Sequence, residues 1–481
     1  MPGKSSSFIV GLSMGTTKTT IIVAEKNSRR PDSINIVGFG FAPTRGVSKG
    51  IIVNNQDARQ SVEKAFREAQ SITGIPAKKL NNVIVAFDGM DVQSESTHGM
   101  VTLGGRESKS VEESDLKRVI ERARTNSVLA SGSRNNMYTI HMIPTSYELD
   151  GRAIDSPMNM TGSQLDMWMQ IVAVPMPYVQ NVVNCVQDAG LEIRGLVLKP
   201  LASSLGAVYE EEMRAGCISI CIGGGTTGIV LYRNGRAFRV MSIPIGGDHI
   251  RSDLTSVLHI SLGEAEHLKK RIFTTSEEDL RREGIDADLA YQVIAARIEE
   301  LFNDYIREAL AECTPQHFPS GIILSGGVSD TPGIEMMLED TMQMRVRKVQ
   351  TPVYEMPYGL DNASYVSAAG ILRYYIMTEK DPYVFMESDQ PLPGLLERSE
   401  LRGRQELRRP ERRIRDTDEG YEDDEEEAVY DNNNRDNNGG NYYGNAEDEI
   451  YEDDEDDEDN SRRENLGEFM RNLAEKFKKL F

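Results

Sequence analysis

Two glycine- and threonine-rich segments of this chain have the pattern most suited to binding a charged ligand. One is Gly15-Thr16-Thr17-Lys18, and the other is Gly223-Gly224-Gly225-Thr226-Thr227. Each lies between two runs of apolar and β-branched residues, which are typical of strands. Because glycine tolerates positive φ and leaves the backbone bare, such a turn can point N–H groups and hydroxyls at an anion such as phosphate. A single loop of this kind is equally consistent with an ordinary hairpin turn.

The repetition of the segment favours phosphate binding over a simple turn. The tripeptide Gly-Thr-Thr occurs between strands at 15–17 and again at 225–227. Each copy leads into a hairpin signal, Asn27-Ser28 in the first and Arg233-Asn234-Gly235 in the second. Self-similarity at long spacing predicts two related halves, each presenting one loop to a cleft between them. A third glycine turn, Gly326-Gly327-Val328, follows another buried strand.

These three segments resemble the first phosphate, second phosphate and adenosine motifs of the actin/Hsp70/sugar-kinase ATPase superfamily. Within it, further segments resemble FtsA, the family of bacterial cell-division actin homologues. They are Ser48-Lys49-Gly50, Ile140-His141-Met142-Ile143-Pro144, Pro200-Leu201-Ala202-Ser203-Ser204 and Ile243-Pro244-Ile245-Gly246-Gly247. The resemblance covers roughly residues 8–378.

The resemblance implies an α/β, actin-like ATPase fold of two related halves around a nucleotide cleft, with an FtsA-type inserted α+β subdomain. The first domain is expected over 1–82, 166–200 and about 357–378, and the insert over 83–165. The second domain is expected as a core over 201–250 and 314–356 with an outer helical subdomain over 251–313.

Apolar periodicity predicts the main helices independently of the resemblance. They are expected at Gln56–Ile72, Val111–Arg124, Pro177–Ala189, Ile250–Leu258 and Asp288–Cys313. The segment Ala202–Glu212 resembles the interdomain helix of the superfamily. A strand is predicted at Asn82–Phe87, after the first helix.

The resemblance also implies which residues hold the nucleotide, with ATP as the cofactor and Mg²⁺ beside it. They come from the three glycine segments, the Gly-Gly after Ile245 and a helix near 263–270. The candidates are Gly15, Thr16, Thr17, Lys18, Gly223, Gly224, Gly225, Thr226, Thr227, Gly246, Gly247, Glu266, Lys269, Gly326, Gly327 and Val328.

Three acidic positions of the superfamily are neutral in this chain, at Ser13, Cys221 and Gly228. Hydrolysing members use these acids to hold Mg²⁺ through water and to position the attacking water. We therefore predict no catalytic residues and slow or absent hydrolysis, and the support for Mg²⁺ is reduced. Asp248 and Asp253 are nearby acids that could partly compensate, although a helix-surface or capping role for Asp253 is favoured.

Length and composition indicate a largely globular chain without a membrane span. At 481 residues with 39% hydrophobic content, it is long enough for about two to four domains. It has no apolar run near the ~20 residues that a spanning helix needs and no signal-peptide core, which predicts the cytoplasm. Its four cysteines, Cys185, Cys217, Cys221 and Cys313, fit a reducing compartment, and no metal site is predicted.

The formal net charge of −22 is concentrated in one segment. Residues 416–460 hold 22 Asp and Glu against one basic residue, Arg435, which leaves the rest of the chain near −1. The globular part thus has no basic face that would favour nucleic acid. Residues 379–463 are predicted to be a disordered, charged linker, because their composition cannot bury enough apolar surface.

The last segment, 464–481, is predicted to form an amphipathic helix that binds the membrane. Its polar side is basic and its other side is apolar, as in helices that lie at a lipid interface. The residues concerned are Leu466, Phe469, Met470, Leu473, Phe477, Leu480 and Phe481 on the apolar face, with Arg471, Lys476, Lys478 and Lys479 opposite. The alternative is a helix that docks on a protein, and the long linker disfavours it.

The resemblance implies a division protein that binds ATP, polymerises head to tail and tethers FtsZ filaments to the cytoplasmic membrane at the division site. Its partners would be FtsZ, copies of itself, other division proteins and an anionic membrane surface. Arg297 matches an arginine on the helix that receives the FtsZ tail, although a salt bridge to Glu300 is the simpler interpretation. The alternatives are an ATP-hydrolysing enzyme or sugar kinase of the same superfold and an Hsp70-like chaperone, for which no substrate-binding domain follows residue 378.

Overall fold

The computed structural model describes residues 8–26, 34–104, 108–130, 136–353, 362–387 and 390–393. The hairpin signal Asn27-Ser28, the linker beyond 393 and the amphipathic segment 464–481 lie outside these residues. The strands are β1 (Phe8–Met14), β2 (Lys18–Lys26), β3 (Ile34–Pro43), β4 (Val47–Ser48), β5 (Ile51–Ile52), β6 (Asn82–Phe87), β7 (Gln93–Thr102), β8 (Lys109–Ser110), β9 (Met137–Leu149), β10 (Arg152–Ile154), β11 (Thr161–Gly162), β12 (Gln164–Pro175), β13 (Glu192–Leu198), β14 (Cys217–Ile222), β15 (Thr227–Arg233), β16 (Arg236–Ile243), β17 (Ile322–Ser325) and β18 (Val346–Lys348).

Helices separate the runs of strands in each half. They are α1 (Asn55–Thr73), α2 (Ala77–Leu80), α3 (Glu113–Asn126), α4 (Met176–Asp188), α5 (Lys199–Ala207), α6 (Glu210–Ala215), α7 (Gly247–Leu258), α8 (Leu262–Arg271), α9 (Glu277–Arg282), α10 (Ala287–Glu300), α11 (Arg307–Ala309), α12 (Ile334–Met342) and α13 (Val366–Lys380). One π-helical turn, Leu301–Ile306, joins α10 to α11. In the part of the chain that the structure describes, no helix is both long and apolar enough to cross a membrane.

Two five-stranded sheets repeat the same topology. The first has the order β13-β6-β1-β2-β3 and the second the order β18-β17-β14-β15-β16. In each, three consecutive strands form an antiparallel meander. A later strand pairs in parallel with the first strand of the meander, and a second later strand pairs in parallel with the added one. The predicted pair of related halves is therefore confirmed at the level of strand order and direction.

A third sheet lies between β6 and α4 in sequence and has a different topology. Its order is β10-β9-β12-β7, and all of its pairings are antiparallel. Helix α3 packs on β7 at Gly99, where a Cβ would lie 2.3 Å from the Val119 carbonyl oxygen. An α+β insert was expected from the sequence, but its predicted bounds of 83–165 are wrong, because β6 belongs to the first sheet and β12 of this unit continues to Pro175.

Helix α1 shows how local signals set an element that the sequence predicts well. Asn54 caps its first turn by accepting a hydrogen bond from Asp57 N, and Gly74 ends it with φ 65°. Its buried face packs on the first sheet and consists of Ala58, Ser61, Val62, Ala65, Phe66 and Ala69. The predicted helix Gln56–Ile72 is confirmed to within one residue at each end.

Helices α5 and α13 cross at two glycines and connect the two halves. Helix α5 contacts strands of the second sheet, and α13 contacts β1, β2 and β6 of the first. A Cβ on Gly370 would lie 1.6 Å from the Ala202 carbonyl oxygen, and one on Gly206 would lie 1.8 Å from the Val366 carbonyl oxygen. The backbones therefore touch directly, which no other residue type at these positions would allow.

Two predicted helices are wrong in their extent. The interdomain helix expected over Ala202–Glu212 breaks at Val208, which is extended at φ −104° and ψ 133°. The break is stabilised by the buried Arg373 guanidinium, which donates to the carbonyl oxygens of Leu205 and Val208. The helix expected over Asp288–Cys313 changes to a π-helical turn after Glu300 and ends at Ala309. This wider turn lets Leu301 and Ile306, five residues apart, both face the core.

The first residues of the linker predicted from residue 379 belong to the folded body. Helix α13 continues to Lys380, and the following segment packs against the body, with Phe385 buried. Met386 exchanges two backbone hydrogen bonds with Met142 of β9, at 2.8 and 3.0 Å. The apolar residues of this segment and an unpaired strand edge explain why it is ordered despite the charged sequence that follows. A cavity of about 630 Å³ lies beside it, lined by α3 and α13 and away from the glycine loops.

Replacing Gly370 with alanine should destabilise the protein through the α5–α13 crossing. Overpacking of this kind costs about 1–3 kcal/mol, so the unfolding temperature should fall by several degrees. A matched control is Gly263→Ala in α8, where a Cβ would meet nothing nearer than Ser261 Oγ at 3.9 Å. The control should be neutral or slightly stabilising in the same calorimetric scan. Equal effects of the two substitutions would contradict the crossing geometry.

Candidate functional site

The two Gly-Thr-Thr loops form the same kind of turn at the same place in their sheets. Loop 1 (residues 15–18) joins β1 to β2, and Gly15 N donates to the Lys18 carbonyl oxygen at 3.0 Å. Loop 2 (residues 223–226) joins β14 to β15, and Gly223 N donates to the Thr226 carbonyl oxygen at 2.8 Å. The sequence prediction of paired loops between strands is confirmed.

The glycines of loops 1 and 2 are required for close approach rather than for positive φ. None of them lies in the left-handed region. A Cβ on Gly224 would lie 2.4 Å from Thr17 Cγ2, and one on Gly225 would lie 2.4 Å from Thr16 Oγ1. The two loops thus meet directly across the cleft, and the expectation that these glycines supply positive φ is wrong.

The remaining predicted segments converge on these loops. Gly247 N donates to the Gly223 carbonyl oxygen at 2.9 Å, which seats the start of α7 on loop 2. A Cβ on Gly247 would lie 2.9 Å from Val328 Cγ2, so the third glycine turn meets α7 here. Lys269 Nζ donates to the Gly247 carbonyl oxygen at 3.2 Å and to Glu266 at 2.7 Å. Gly326 of the same turn has φ 93°, and a Cβ on it would lie 2.4 Å from the Ile222 carbonyl oxygen.

The hydroxyls of loop 2 bind the protein itself. Thr226 Oγ1 donates to Asp88 Oδ2 at 2.6 Å, and Thr227 Oγ1 donates to the Ile245 carbonyl oxygen at 2.8 Å. Both threonines are buried, whereas Thr16 and Thr17 of loop 1 are more open to solvent. Of the threonines predicted from the sequence, those of loop 1 are therefore better placed for a ligand, and those of loop 2 support the turn.

Two lysines lie at loop 1. The Lys18 ammonium stacks on the Tyr365 ring, 3.5 Å from its centroid. Burial and the neighbouring charge of Lys199 lower the pKa of Lys18 to about 7. Lys199 begins α5, and its Nζ would lie 2.9 Å from a Cβ on Gly15. Sequence reasoning missed Lys199, although it directly precedes the Pro200–Ser204 segment that was recognised.

At one of the three neutral positions, Gly228, a neighbouring side chain closes the space that a carboxylate would need. Gly228 faces Pro200, whose Cβ and Cγ would lie 2.9 Å from a Cβ on the glycine. Cys221 pairs with Gly228 in the β14–β15 register, and the buried Ser13 hydroxyl bonds the Ser367 hydroxyl at 2.8 Å. Across the described ranges, no group of three or more His, Cys, Asp or Glu side chains is arranged to hold a metal ion.

Asp88 is a cleft residue that the sequence analysis missed. It follows β6 directly and is 3% exposed. Its Oδ1 accepts hydrogen bonds from Gly89 N and Ser242 Oγ at 2.9 and 2.8 Å, and its Oδ2 accepts from Thr226. An acid at the carboxyl end of a buried parallel strand was the available signal. Because Ser242 and Thr226 belong to the second half, Asp88 fastens the two halves together.

Arg297 lies on α10 and is held by two carboxylates. Its Nε and Nη2 contact Asp253 at 2.6 and 3.1 Å, and its Nη1 contacts Glu300 at 2.6 Å. The salt bridge to Glu300 is the simpler interpretation of Arg297 that the sequence allowed. Asp253 forms a second ion pair with the same guanidinium. Asp253 therefore does not face the glycine loops as a substitute acid.

Replacing Asp88 with alanine should weaken the fastening between the halves. Hydrogen bonds to a charged acceptor contribute about 1.5–3 kcal/mol, so Asp88→Ala should lower the free energy of unfolding by at least that amount. Ser242→Ala and the double variant complete a cycle in urea unfolding. The double variant should lose less than the sum of the two single losses by about 1 kcal/mol, because both remove one interaction. Strict additivity would show that Ser242 and Asp88 are not coupled.

Comparisons with known proteins agree with this architecture. The family model "Cell division protein FtsA" matches residues 218–370, and the model "SHS2 domain inserted in FTSA" matches residues 89–173. The chain is 30% identical over 385 residues to the cell division protein FtsA of Bacillus subtilis, covering 77% of this chain and 84% of that protein. With FtsA of Pseudomonas aeruginosa the identity is 28% over 417 residues, covering 82% and 97%.

A solved structure shows the same fold at lower sequence identity. The PilM-PilN type IV pilus biogenesis complex contains a chain with a TM-score of 0.55 and 18% identity, covering 76% of this chain and 98% of that one. The fold is thus actin-like, with two related halves and the inserted SHS2 unit between β6 and α4. Given the identity and coverage with the Bacillus subtilis protein, the chain belongs to the FtsA family of cell-division proteins.

Proposed function

We propose that this cell-division protein binds ATP between loops 1 and 2, polymerises head to tail and holds FtsZ filaments at the cytoplasmic face of the membrane. The observation that carries the nucleotide part is the meeting of the two bare-backbone loops, Thr17 against Gly224 and Thr16 against Gly225. The cell-division part rests on family membership. Filament formation, FtsZ binding and membrane attachment extend the family resemblance to this chain.

The cleft has the groups that a polyphosphate needs. Bare glycine backbone allows N–H groups of loops 1 and 2 to approach phosphate oxygens, and the Thr16 and Thr17 hydroxyls can add donors. Lys18 and Lys199 supply positive charge at loop 1. The turn Gly326-Gly327-Val328 with Glu266 and Lys269 would receive the adenosine end, since these residues converge at Gly247.

The same cleft gives little support to the enzymatic alternative. An ATPase or kinase needs a carboxylate to hold a metal-bound water or to accept a proton. The positions that would carry it are Ser13, Cys221 and Gly228, and Pro200 fills the space beside Gly228. We therefore propose that ATP acts as a structural or switching ligand rather than as a substrate turned over rapidly.

Membrane attachment is proposed for segment 464–481 on its sequence pattern. Full burial of one large apolar side chain contributes about 1.5–3 kcal/mol, and a shallow interface gives less. Each lysine or arginine close to an anionic leaflet adds about 1 kcal/mol. Seven apolar and four basic residues lie on opposite sides of the predicted helix. Even if each contributes only a small part of these free energies, their sum is enough for reversible membrane binding.

Liposome co-sedimentation tests the attachment directly. The full-length protein should pellet with vesicles that contain phosphatidylglycerol, and a chain ending at Asn460 should remain in the supernatant. Leu473→Glu should weaken vesicle binding about tenfold or more, because it removes apolar burial and places a charge on the apolar face. Adding ATP should increase pelleting of the intact chain if nucleotide promotes assembly on the surface.

A matched variant separates burial from charge in this experiment. Asn472→Glu adds the same negative charge next to Leu473 but off the apolar face, so it should reduce binding only slightly. Equal pelleting of the full-length chain and of the chain ending at Asn460 would remove the proposed anchor.

Arg297 is proposed to bind the FtsZ tail, and its ion pairs make the test specific. A partner carboxylate must compete with Asp253 and Glu300 for the guanidinium. Arg297→Ala should weaken binding of an FtsZ tail peptide by about tenfold, the value of one charge-assisted hydrogen bond. Asp253→Asn should instead strengthen peptide binding in fluorescence anisotropy, because it frees the guanidinium.

The two substitutions should change peptide affinity in opposite directions only if Arg297 contacts the partner. If Arg297 only links α7 to α10 through its ion pair, both variants remove that ion pair. Both should then weaken binding of the peptide to the same extent. That outcome would return Arg297 to a structural role.

A further inference from the structure

We propose that the cleft binds its nucleotide as the metal-free polyphosphate, with Lys199 and Lys18 together supplying the positive charge that Mg²⁺ supplies in related sites. The proposal rests on the proposed nucleotide-binding function and specifies the chemical form of its ligand. It assigns to Lys199 a phosphate-binding role that its sequence environment did not indicate.

The position of Lys199 is set by helix α5, to which it belongs, and by loop 1, against which its ammonium lies. It is the first residue of α5, whose glycine crossing with α13 fixes the helix. Its Nζ would lie 2.9 Å from a Cβ on Gly15, so the ammonium rests against the bare backbone of loop 1. Any larger residue at position 15 would displace the ammonium. The side chain is half-buried, which limits the water that could screen its charge.

Lys18 and Lys199 lie near each other without an ion-paired acid. Among the described residues, neither ammonium has a carboxylate within ion-pair distance. By contrast, Lys269 and Lys270 on α8 share the carboxylate of Glu266, at 2.7 and 3.0 Å. Two half-buried like charges are unfavourable unless an anion joins them. A polyphosphate at loop 1 is such an anion.

The donor set does not fit a protein-held Mg²⁺. That ion is normally bound through one or two carboxylates together with substrate phosphates. The three acidic positions are neutral, and the carboxylate oxygens of Asp88 already accept three hydrogen bonds. Asp330 is an exposed acid near Lys18, and the charges of Lys348 and Lys18 oppose the rise in its pKa that desolvation causes. Asp248, at the start of α7, has a buried Oδ1 that accepts no hydrogen bond and lies 3.3 Å from the Arg251 guanidinium. Asp88 and Asp248 are thus paired within the protein, whereas neither lysine at loop 1 has a described carboxylate within ion-pair distance.

The protonation of Lys18 gives an independent readout of the same arrangement. Burial, followed by the charges of Lys199 and Lys270, lowers its pKa to about 7, while Asp330 and Cys221 act in the opposite direction. The free protein therefore loses the Lys18 proton as pH rises through about 7. An anion at loop 1 favours the ammonium form and raises this pKa. Binding should thus take up a proton above pH 7 and weaken as pH rises further.

Isothermal titration of the full-length protein with ATP tests the proposal, once with excess MgCl₂ and once with excess EDTA. We expect dissociation constants that agree within about threefold, since the protein supplies the charge itself. Repeating the EDTA titration at pH 8 in buffers of different ionisation enthalpy should reveal proton uptake. A requirement for Mg²⁺, with no binding in EDTA, would overturn the proposal and leave the nucleotide site intact.

Substitutions at Lys199 sharpen the result. Lys199→Met should weaken ATP binding in EDTA by about tenfold to a hundredfold, and Lys199→Arg should retain most of it. Lys199→Glu should make binding depend on Mg²⁺, because an acid beside the phosphates attracts the cation. The control Lys78→Met changes an exposed lysine of α2 and should bind as the parent does. Near-parental affinity of Lys199→Met in EDTA would overturn the role of Lys199. Absence of ATP binding by the parent in both solutions would overturn the proposed function as well.

Discussion

The contact of bare backbone between the two loops is the constraint on which the rest of the cleft depends. Gly224 and Gly225 approach Thr17 and Thr16 so closely that a Cβ has no room. This contact fixes how near the two sheets come at their loop ends. The start of α7 is then positioned by hydrogen bonds to the carbonyl oxygens of Gly223 and Gly224. Any side chain at Gly224 or Gly225 would separate the halves and displace these neighbours together.

The sequence was sufficient for features that short-range patterns determine. Strand β6 has the predicted bounds, and α1 differs by one residue at each end, because capping residues and apolar period lie within the segment itself. The repeated Gly-Thr-Thr also indicated two related halves, and the common strand order confirms it. The residues that specify these elements lie within the elements themselves, so the local sequence pattern is enough to predict them.

The residues that sequence reasoning missed depend on partners far along the chain. Asp88 bonds Thr226, which is 138 residues away, so its position at a strand end could mark it as a candidate but could not reveal its partner. The break at Val208 depends on Arg373, 165 residues away, and would be helical by propensity alone. The π-helical turn after Glu300 likewise results from packing of Leu301 and Ile306 rather than from a local signal. Tertiary contacts override local preference at each of these places.

The charges of the cleft link the ligand to the arrangement of the two halves. Without an anion, Lys18 and Lys199 repel each other beside loop 1, while Asp88 holds loop 2 to the first sheet. An anion at loop 1 relieves this repulsion, and a ligand that also contacts loop 2 would stabilise the contact between the loops through its binding free energy. Because Lys199 also begins α5, the same free energy acts on the glycine crossing with α13. A ligand that contacts both loops would therefore hold the two halves together for as long as it stays bound.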